Sequence, residues 1–256
     1  FETPLAGRRF DLVIDTQRRV LTTLIVKRIA HGRFISAGAG YMFSDAAPTL
    51  RAKPPAMIRQ LLDLVELASG RPAQPHGGPR LPEDYIDAAR RLLPDGPTYV
   101  GLAPGAGGQH KCWPLENFAL IALAQQKAGR VPAFILGPNE KDWEKDLRAA
   151  VPGARFPLQE AGSRNPLLTI TIAQRLRVAV ANDSGAGHLL ASGGAPMVSL
   201  FGPTPPAKFA PLAPRLEIVT AKQFGGEAMD KIPVTAVSAD IEKLLKPAPE
   251  RKPPVR

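Results

Sequence analysis

The chain has 256 residues, with 23 Gly, 28 Pro, 44% hydrophobic and 22% charged residues, a balance that excludes collagen-like and largely unfolded chains and fits one large or two modest folded domains. Lys and Arg (33) exceed Asp and Glu (23) by 10, which favours an anionic partner: a phosphorylated glycolipid, nucleic acid or a membrane surface. The single cysteine, Cys112, excludes an intrachain disulfide and a cysteine-based metal cluster and fits a reducing compartment, and the longest purely apolar run, 118–124, is far too short to cross a bilayer.

The chain opens Phe-Glu-Thr without a methionine, and is read as a processed, trimmed or fragmentary product. Residues 11–15 (DLVID) form a short apolar, β-branched strand, and Val20, Leu21, Leu24, Ile25 and Ile29 recur at helical spacing over 18–29. A strand at 33–36 follows, then a turn-rich loop over 38–55, a helix over 57–68 with an apolar stripe, and a punctuated linker at 70–82 (GRPAQPHGGPRLP) leading to a helix at 83–93. From residue 98 the pattern is regular: strand 98–103, helix 115–128, strand 131–136, helices 140–150 and 166–176, strand 178–181, helix 187–192 and strand 197–201. A strand at 217–220, a helix at 235–245 and a Pro-rich basic tail close the chain. Apolar strands alternating with amphipathic helices predict a parallel sheet covered on both faces. The expected division is a partial N-terminal domain over 1–93, a C-terminal Rossmann-like domain over 94–232, a helix over 233–246 and a disordered tail over 247–256.

Ligands of such sheets bind beyond the carboxyl ends of the strands, so the loops there carry the candidate residues. After the strand at 98–103 comes APGAGGQHKCWP. Gly105, Ala106 and Gly107, with Gly108, let the backbone approach a ligand, and Lys111 adds a point charge. The segment matches neither a P-loop nor G-x-G-x-x-G, and two readings stand: an anion cradle, or a flexible loop with a solvated lysine. In VAVANDSGAGHLLA (178–191), Asp183 and Ser184 sit at a strand end where either can cap the next helix, Gly185 and Gly187 open the helix N-terminus to an anion, and His188 lies on its first turn. The bland alternative is a plain N-cap and a satisfied histidine. A serine hydrolase is disfavoured because Asn182 stands where a nucleophile elbow needs glycine. Glu140, in LGPNEKD (136–142), can accept hydrogen bonds from a ribose diol or simply complement a helix dipole. The rigid turn GPTPP (202–206) either lines the crevice or only stiffens a loop. Asp142 and Glu144, two apart on a helix, do not face each other, so no metal site is expected. Arg18, Arg19, Lys27, Arg28, Arg51 and Lys53 form a basic cluster upstream. Aromatic residues, 6% of the chain, do not interleave with it, so stacking on single-stranded nucleic acid is unsupported.

Taken in order, GAGGQHKCWP, LGPNE, ANDSGAGHLLAS and APMVSLFGPTPP resemble glycosyltransferase family 9, the heptosyltransferases of lipopolysaccharide core assembly and their relatives. The resemblance runs from about Phe10, where FDLVIDTQ is similar to a strand of the family's N-terminal domain, to the helix near Leu245. It implies an α/β fold of the GT-B type: two Rossmann-like domains, the N-terminal one incomplete here and on the acceptor side, the C-terminal one holding a nucleotide sugar. Carried over by position, Lys111 meets the donor diphosphate, Glu140 the ribose, and Asp183, Ser184, Gly185 and His188 the sugar and diphosphate. The family's opening strand and Gly-Asp loop, which supplies an acidic residue as general base, have no counterpart before Phe10. The base is therefore expected upstream of Phe1; Asp183 is the catalytic candidate inside the chain, and Asp15 the nearest carboxylate on the N-terminal side.

The resulting expectation is an inverting, metal-independent glycosyltransferase without a cofactor. It moves a sugar such as heptose from ADP-heptose to an anionic lipopolysaccharide or related glycan, with Arg18 and Arg19 on the acceptor side. It works in the cytoplasm at the inner face of the membrane, with peripheral membrane contact and no nucleic acid. The alternative is a noncatalytic nucleotide-sugar or glycan-binding relative that lacks the base.

Overall fold

The computed structural model describes residues 5, 7–49, 53–75, 78–163 and 165–247, and the chain falls into two compact units, Phe1–Gly77 and Gly78–Arg256. In the first unit, β1 (Arg9–Asp15) pairs in parallel with β2 (Ala30–Ser36), Asp15 opposite Ser36. Between them runs α1 (Val20–Lys27), and α2 (Met57–Ser69) follows. Strand alternation sends Ile14 and Ile35 to the face where Leu64 and Leu67 of α2 pack. Asp15 and Ser36 turn to the other face, where the Asp15 carboxylate accepts hydrogen bonds from Thr23 of α1 (2.6 Å), Ser36 (2.9 Å) and the Gln17 N–H (2.8 Å). Gly38 is required beside this network, because a Cβ there would lie 2.2 Å from Thr23 Oγ1. The helix α2 ends at Gly70, whose φ of 69° suits the left-handed cap.

The second unit opens with α3 (Glu83–Leu92), followed by β3 (Tyr99–Ala103), α4 (Leu115–Lys127), β4 (Val131–Phe134), α5 (Trp143–Ala150), α6 (Pro157–Glu160) and α7 (Pro166–Ala173). Then come β5 (Leu176–Asn182), α8 (Gly185–Ser192), β6 (Met197–Phe201), α9 (Pro206–Phe209), β7 (Leu216–Thr220) and α10 (Val234–Leu245). The five strands form one parallel sheet in the order β4-β3-β5-β6-β7. Alternation gives the two faces different textures. Val100, Leu102, Val178, Val180, Val198 and Leu200 meet Phe118, Ile121, Leu147, Val237 and Ile241 from α4, α5 and α10. Ala103, Ala179 and Ala181 face Leu168, Ile172 and Leu190 of α7 and α8, and the small side chains let those helices lie close to the sheet. Gly193 lets α7 and α8 meet closely as well: a Cβ there would be 2.2 Å from the Ile170 carbonyl oxygen.

The division at Gly77/Gly78 falls within the linker expected over 70–82, ahead of the 93/94 bound given to the N-terminal domain. The helix α3 belongs to the second unit because Ala89, with Tyr85, Ala88 and Leu92, packs into the α7–α8 face. The Arg175 guanidinium fixes its end by donating to the Leu93 carbonyl and to Asp95. The helix expected over 140–150 begins only at Trp143, so Glu140 lies in the turn that precedes it. The short α6 and α9, both with Pro at the first turn, are additions to the sequence reading. The expected tail beyond residue 247 and Arg51 lie outside the described residues.

Candidate functional site

Sheet order puts β3 and β5 side by side while their following strands diverge, β4 to one side and β6 to the other. The crevice at their carboxyl ends is the topological switch point, where open α/β sheets bind ligands. The loop after β3 passes through a 3-10 turn, Gln109–Lys111, and delivers the Lys111 ammonium to Asp183 at 3.0 Å. The same oxygen, Asp183 Oδ2, accepts from Thr204 Oγ1 at 2.8 Å, so residues from the loops after β3, β5 and β6 converge on one carboxylate. The Phe209 ring of α9 stands 5.9 Å from Lys111 Nζ, within cation–π range.

Asn182 holds the two principal loops together. Fully buried, it donates to the Pro104 carbonyl (2.6 Å) and accepts from the Trp113 N–H (3.1 Å), while the Trp113 indole N–H donates to the Ile232 carbonyl at 2.9 Å. Ser184, not Asp183, is the N-cap of α8; its Oγ accepts from the Gly187 N–H at 3.3 Å. The N–H groups of Gly185 and Ala186 have no acceptor among the described residues and carry the positive end of the helix dipole.

Glu140 is buried, and its carboxylate accepts no hydrogen bond from the described residues. It lies against two glycines: a Cβ on Gly105 would come within 2.5 Å of the carboxyl group, and one on Gly137 within 2.6 Å. Beside it opens a cavity of about 500 Å³, walled by Pro138, Lys141, Leu158, Gln159, Ala186 and Leu189, a largely apolar chamber continuous with the first turn of α8. Burial pushes the Cys112 thiol up; the Ala106 N–H opposes this and the Glu140 charge adds to it. Cys112 is thereby kept as a neutral thiol.

Of the residues expected from sequence, the structure brings together Lys111, Asp183, Ser184 and Gly185, and sets Glu140 against Gly105. The Ala106 N–H faces Cys112, whose thiol donates to the Gly108 carbonyl, while Gly107 is exposed, with open space where a Cβ would stand. His188 is in the first turn of α8, exposed, with no side-chain hydrogen bond among the described residues. In the first unit, Arg19 occupies the N-cap position of α1. Arg18 is near Tyr41, whose hydroxyl is raised by burial, with Arg18 opposing and Asp63 adding. Asp15 is buried and bonded by three donors, a structural carboxylate. Among the described residues no group of three or more His, Cys, Asp or Glu side chains is arranged to hold a metal ion, and no helix is long and apolar enough to cross a membrane. Asn182 entered the sequence reading only as a mismatch to a nucleophile elbow, Trp113 only as part of a motif and Thr204 only as part of a rigid turn, while Phe209 was not singled out.

The sequence model described as glycosyltransferase family 9 (heptosyltransferase) matches residues 1–232. The chain belongs to glycosyltransferase family 9. Among curated proteins it is similar to lipooligosaccharide heptosyltransferase 2 of Haemophilus influenzae, 28% identical over 123 residues, a match spanning 47% of this chain and 36% of that protein. A family 9 glycosyltransferase from Veillonella parvula superposes with a TM-score of 0.75 at 19% identity, covering 92% of this chain and 73% of that one. Heptosyltransferase WaaC of E. coli, solved with ADP, gives 0.71 at 19% identity and covers 94% and 74%. The ADP-heptose lps heptosyltransferase II of E. coli gives 0.68 at 17% identity and covers 92% and 76%. These likenesses establish the family 9 chain as an α/β protein of the GT-B type.

Proposed function

We propose that this family 9 chain binds a nucleotide sugar in its second unit and transfers the sugar to an anionic glycan acceptor, with ADP-heptose as donor and a lipopolysaccharide core as acceptor. The observation that carries this reading is the convergence of Lys111 and Thr204 on Asp183 beside the open N-terminus of α8. A diphosphate there meets an ammonium and the free N–H groups of Gly185 and Ala186, which stabilise a leaving diphosphate without a metal ion. Asp183 orients Lys111, and Ser184 keeps the helix end open. Glu140, buried with unused acceptor capacity, suits a ribose diol, and the adjoining apolar cavity suits a flat base. His188 faces solvent on the same helix turn and is assigned to the donor sugar. Arg18 and Arg19 serve the acceptor in the first unit. The name of the E. coli relative solved with ADP supports the choice of adenine, and the names of the heptosyltransferase relatives support the choice of heptose and lipopolysaccharide; on this reading the work is done at the inner face of the cytoplasmic membrane.

Calorimetric titration of the chain with ADP-heptose, ADP, UDP, GDP and adenosine, in buffer containing EDTA, tests this. The expected result is selective adenine-nucleotide binding that survives EDTA, with Lys111→Ala weakening ADP about tenfold or more and adenosine little. Equal losses for ADP and adenosine would contradict the role of Lys111. In a transfer assay, Asp183→Ala is expected to abolish turnover with the fold intact by circular dichroism, and near-normal turnover would sink its role. The second reading, a noncatalytic binding protein, is favoured by Asp15, whose carboxylate is buried in structural hydrogen bonds and so does not serve as the base that transfer needs. Donor binding without any turnover would select that reading.

A further inference from the structure

The helix α4 of the second unit is apolar on two opposite sides. Phe118, Ile121 and Ala122 are buried in the core over the sheet. On the other side Glu116, Leu120, Leu123 and Lys127 follow at intervals of 4, 3 and 4 residues, the spacing that lines side chains up along a helix and forms the seam of a helix pair. All four are exposed, Leu120 at 52% and Leu123 at 42%. Neither Glu116 nor Lys127 is in an ion pair among the described residues, whereas the nearby Arg130 is held by Glu242. Complementing the helix dipole accounts for an acid in the first turn and a base in the last, but not for two leucines left in water between them. The order along this line is symmetric. Leu120 and Leu123 lie equally far from one point, between Ile121 and Ala122; so do Glu116 and Lys127, and so do Ala119 and Ala124, which flank the leucines.

We infer that this face of α4 is the contact surface of a weak symmetric dimer, covered by α4 of a second copy of the chain lying antiparallel to it. A two-fold axis through that central point makes the surface complementary to itself, as an isologous contact requires. Leu120 of each copy meets Leu123 of the other, each Glu116 meets a Lys127, and the alanines at the flanks let the two backbones approach. Parallel pairing would instead set Glu116 against Glu116 and Lys127 against Lys127, so the charges select the antiparallel register. The contact is small: two helices of 13 residues fall at or below the roughly 1,000 Å² of a stable interface, so the dimer is transient, with a Kd on the order of 10 μM. The inference does not depend on what the crevice binds.

Sedimentation equilibrium of the full chain from about 1 to 300 μM tests it, with circular dichroism of each variant to check the fold. The expected result is a reversible monomer–dimer equilibrium. Glu116→Lys and Lys127→Glu should each weaken it about tenfold or more, because each sets like charges together at both ends of the pair. The double variant Glu116→Lys/Lys127→Glu should recover it. An equimolar mixture of the two single variants should form a heterodimer tighter than either homodimer, since only the mixed pair matches opposite charges at both ends. Leu120→Glu/Leu123→Glu should leave a monomer; the exposed charge variants carry the test if that variant does not fold. A chain that stays monomeric over the whole range would overturn the inference. So would a dimer unchanged in the single charge variants, which would use another surface, or single variants that weaken the dimer and fail to complement each other in the mixture.

Discussion

Gly105 and Gly137 press on one carboxylate from two different loops, and neither position tolerates a side chain without moving Glu140. Gly105→Ala is therefore expected to displace the Glu140 carboxylate and, on the proposed donor-binding reading, to weaken ADP binding about tenfold or more, with little change in the thermal unfolding midpoint, as read by calorimetry and melting of the same variant. The glycine was legible in the sequence as a point of close approach, but its partner was not. Spacing suggested that backbone N–H groups there approach an anion, whereas the space at Gly105 is taken by a side chain 35 residues along the chain. Thr204 was obscure for a related reason: a hydroxyl between prolines looks like turn chemistry until the loop that holds it is known to end above Asp183. Lys111, Asp183 and Ser184 were legible because strand-end position and residue type coincided.

At the scale of elements, helix ends decide how the site is walled. The carboxylate of Glu160 closes α6 by accepting from the Phe156 N–H at 2.9 Å and from Arg155 at 2.7 Å. Burial raises the Glu160 carboxyl, but the hydrogen bonds from Arg155 and Phe156 outweigh it and hold the group below the usual range. A carboxyl depressed in the folded state contributes stability above its unfolded pKa and loses it as pH falls through the folded value. Glu160→Gln is expected to cost about 1 kcal/mol at neutral pH and progressively less in acid, in denaturant titrations at a series of pH values. The element pattern of the second unit followed from its apolar runs, because its central strands β3, β5 and β6 are buried on both faces. Where periodicity failed, the cause is local. All eight residues of α7 are apolar or threonine, so its extent could not be read from a polar face. The turn before α5 contains Glu140 and Asp142, which resemble the acidic first turn of a helix.

For the whole molecule, the two units differ in how much core they own. The second has two extensive apolar clusters on opposite faces of a five-stranded sheet, whereas among the described residues the first has a small buried cluster of Ile35, Ala37 and Leu64 about a two-stranded sheet. Parallel sheets depend on cover over both faces, and thinly covered regions open first. Hydrogen exchange should show β1 and β2 amides exchanging at least tenfold faster than those of β3, β5 and β6; equal protection would mean that the units open together. Sequence patterning marked the two-part organisation and a linker over 70–82 that contains the Gly77/Gly78 division, but it grouped α3 with the first unit, because an amphipathic helix does not state which neighbour its apolar face will meet. Trp113 has a consequence beyond its hydrogen bonds. Its amide is held by Asn182 at the crevice and its indole by Ile232, two residues before α10, so one buried ring is common to the ligand loop and the closing helix. A shift in that loop changes the ring's surroundings, which makes Trp113 a built-in fluorophore for occupancy. By the same linkage, a lesion in α10 far along the chain is expected to reach the loop that carries Lys111.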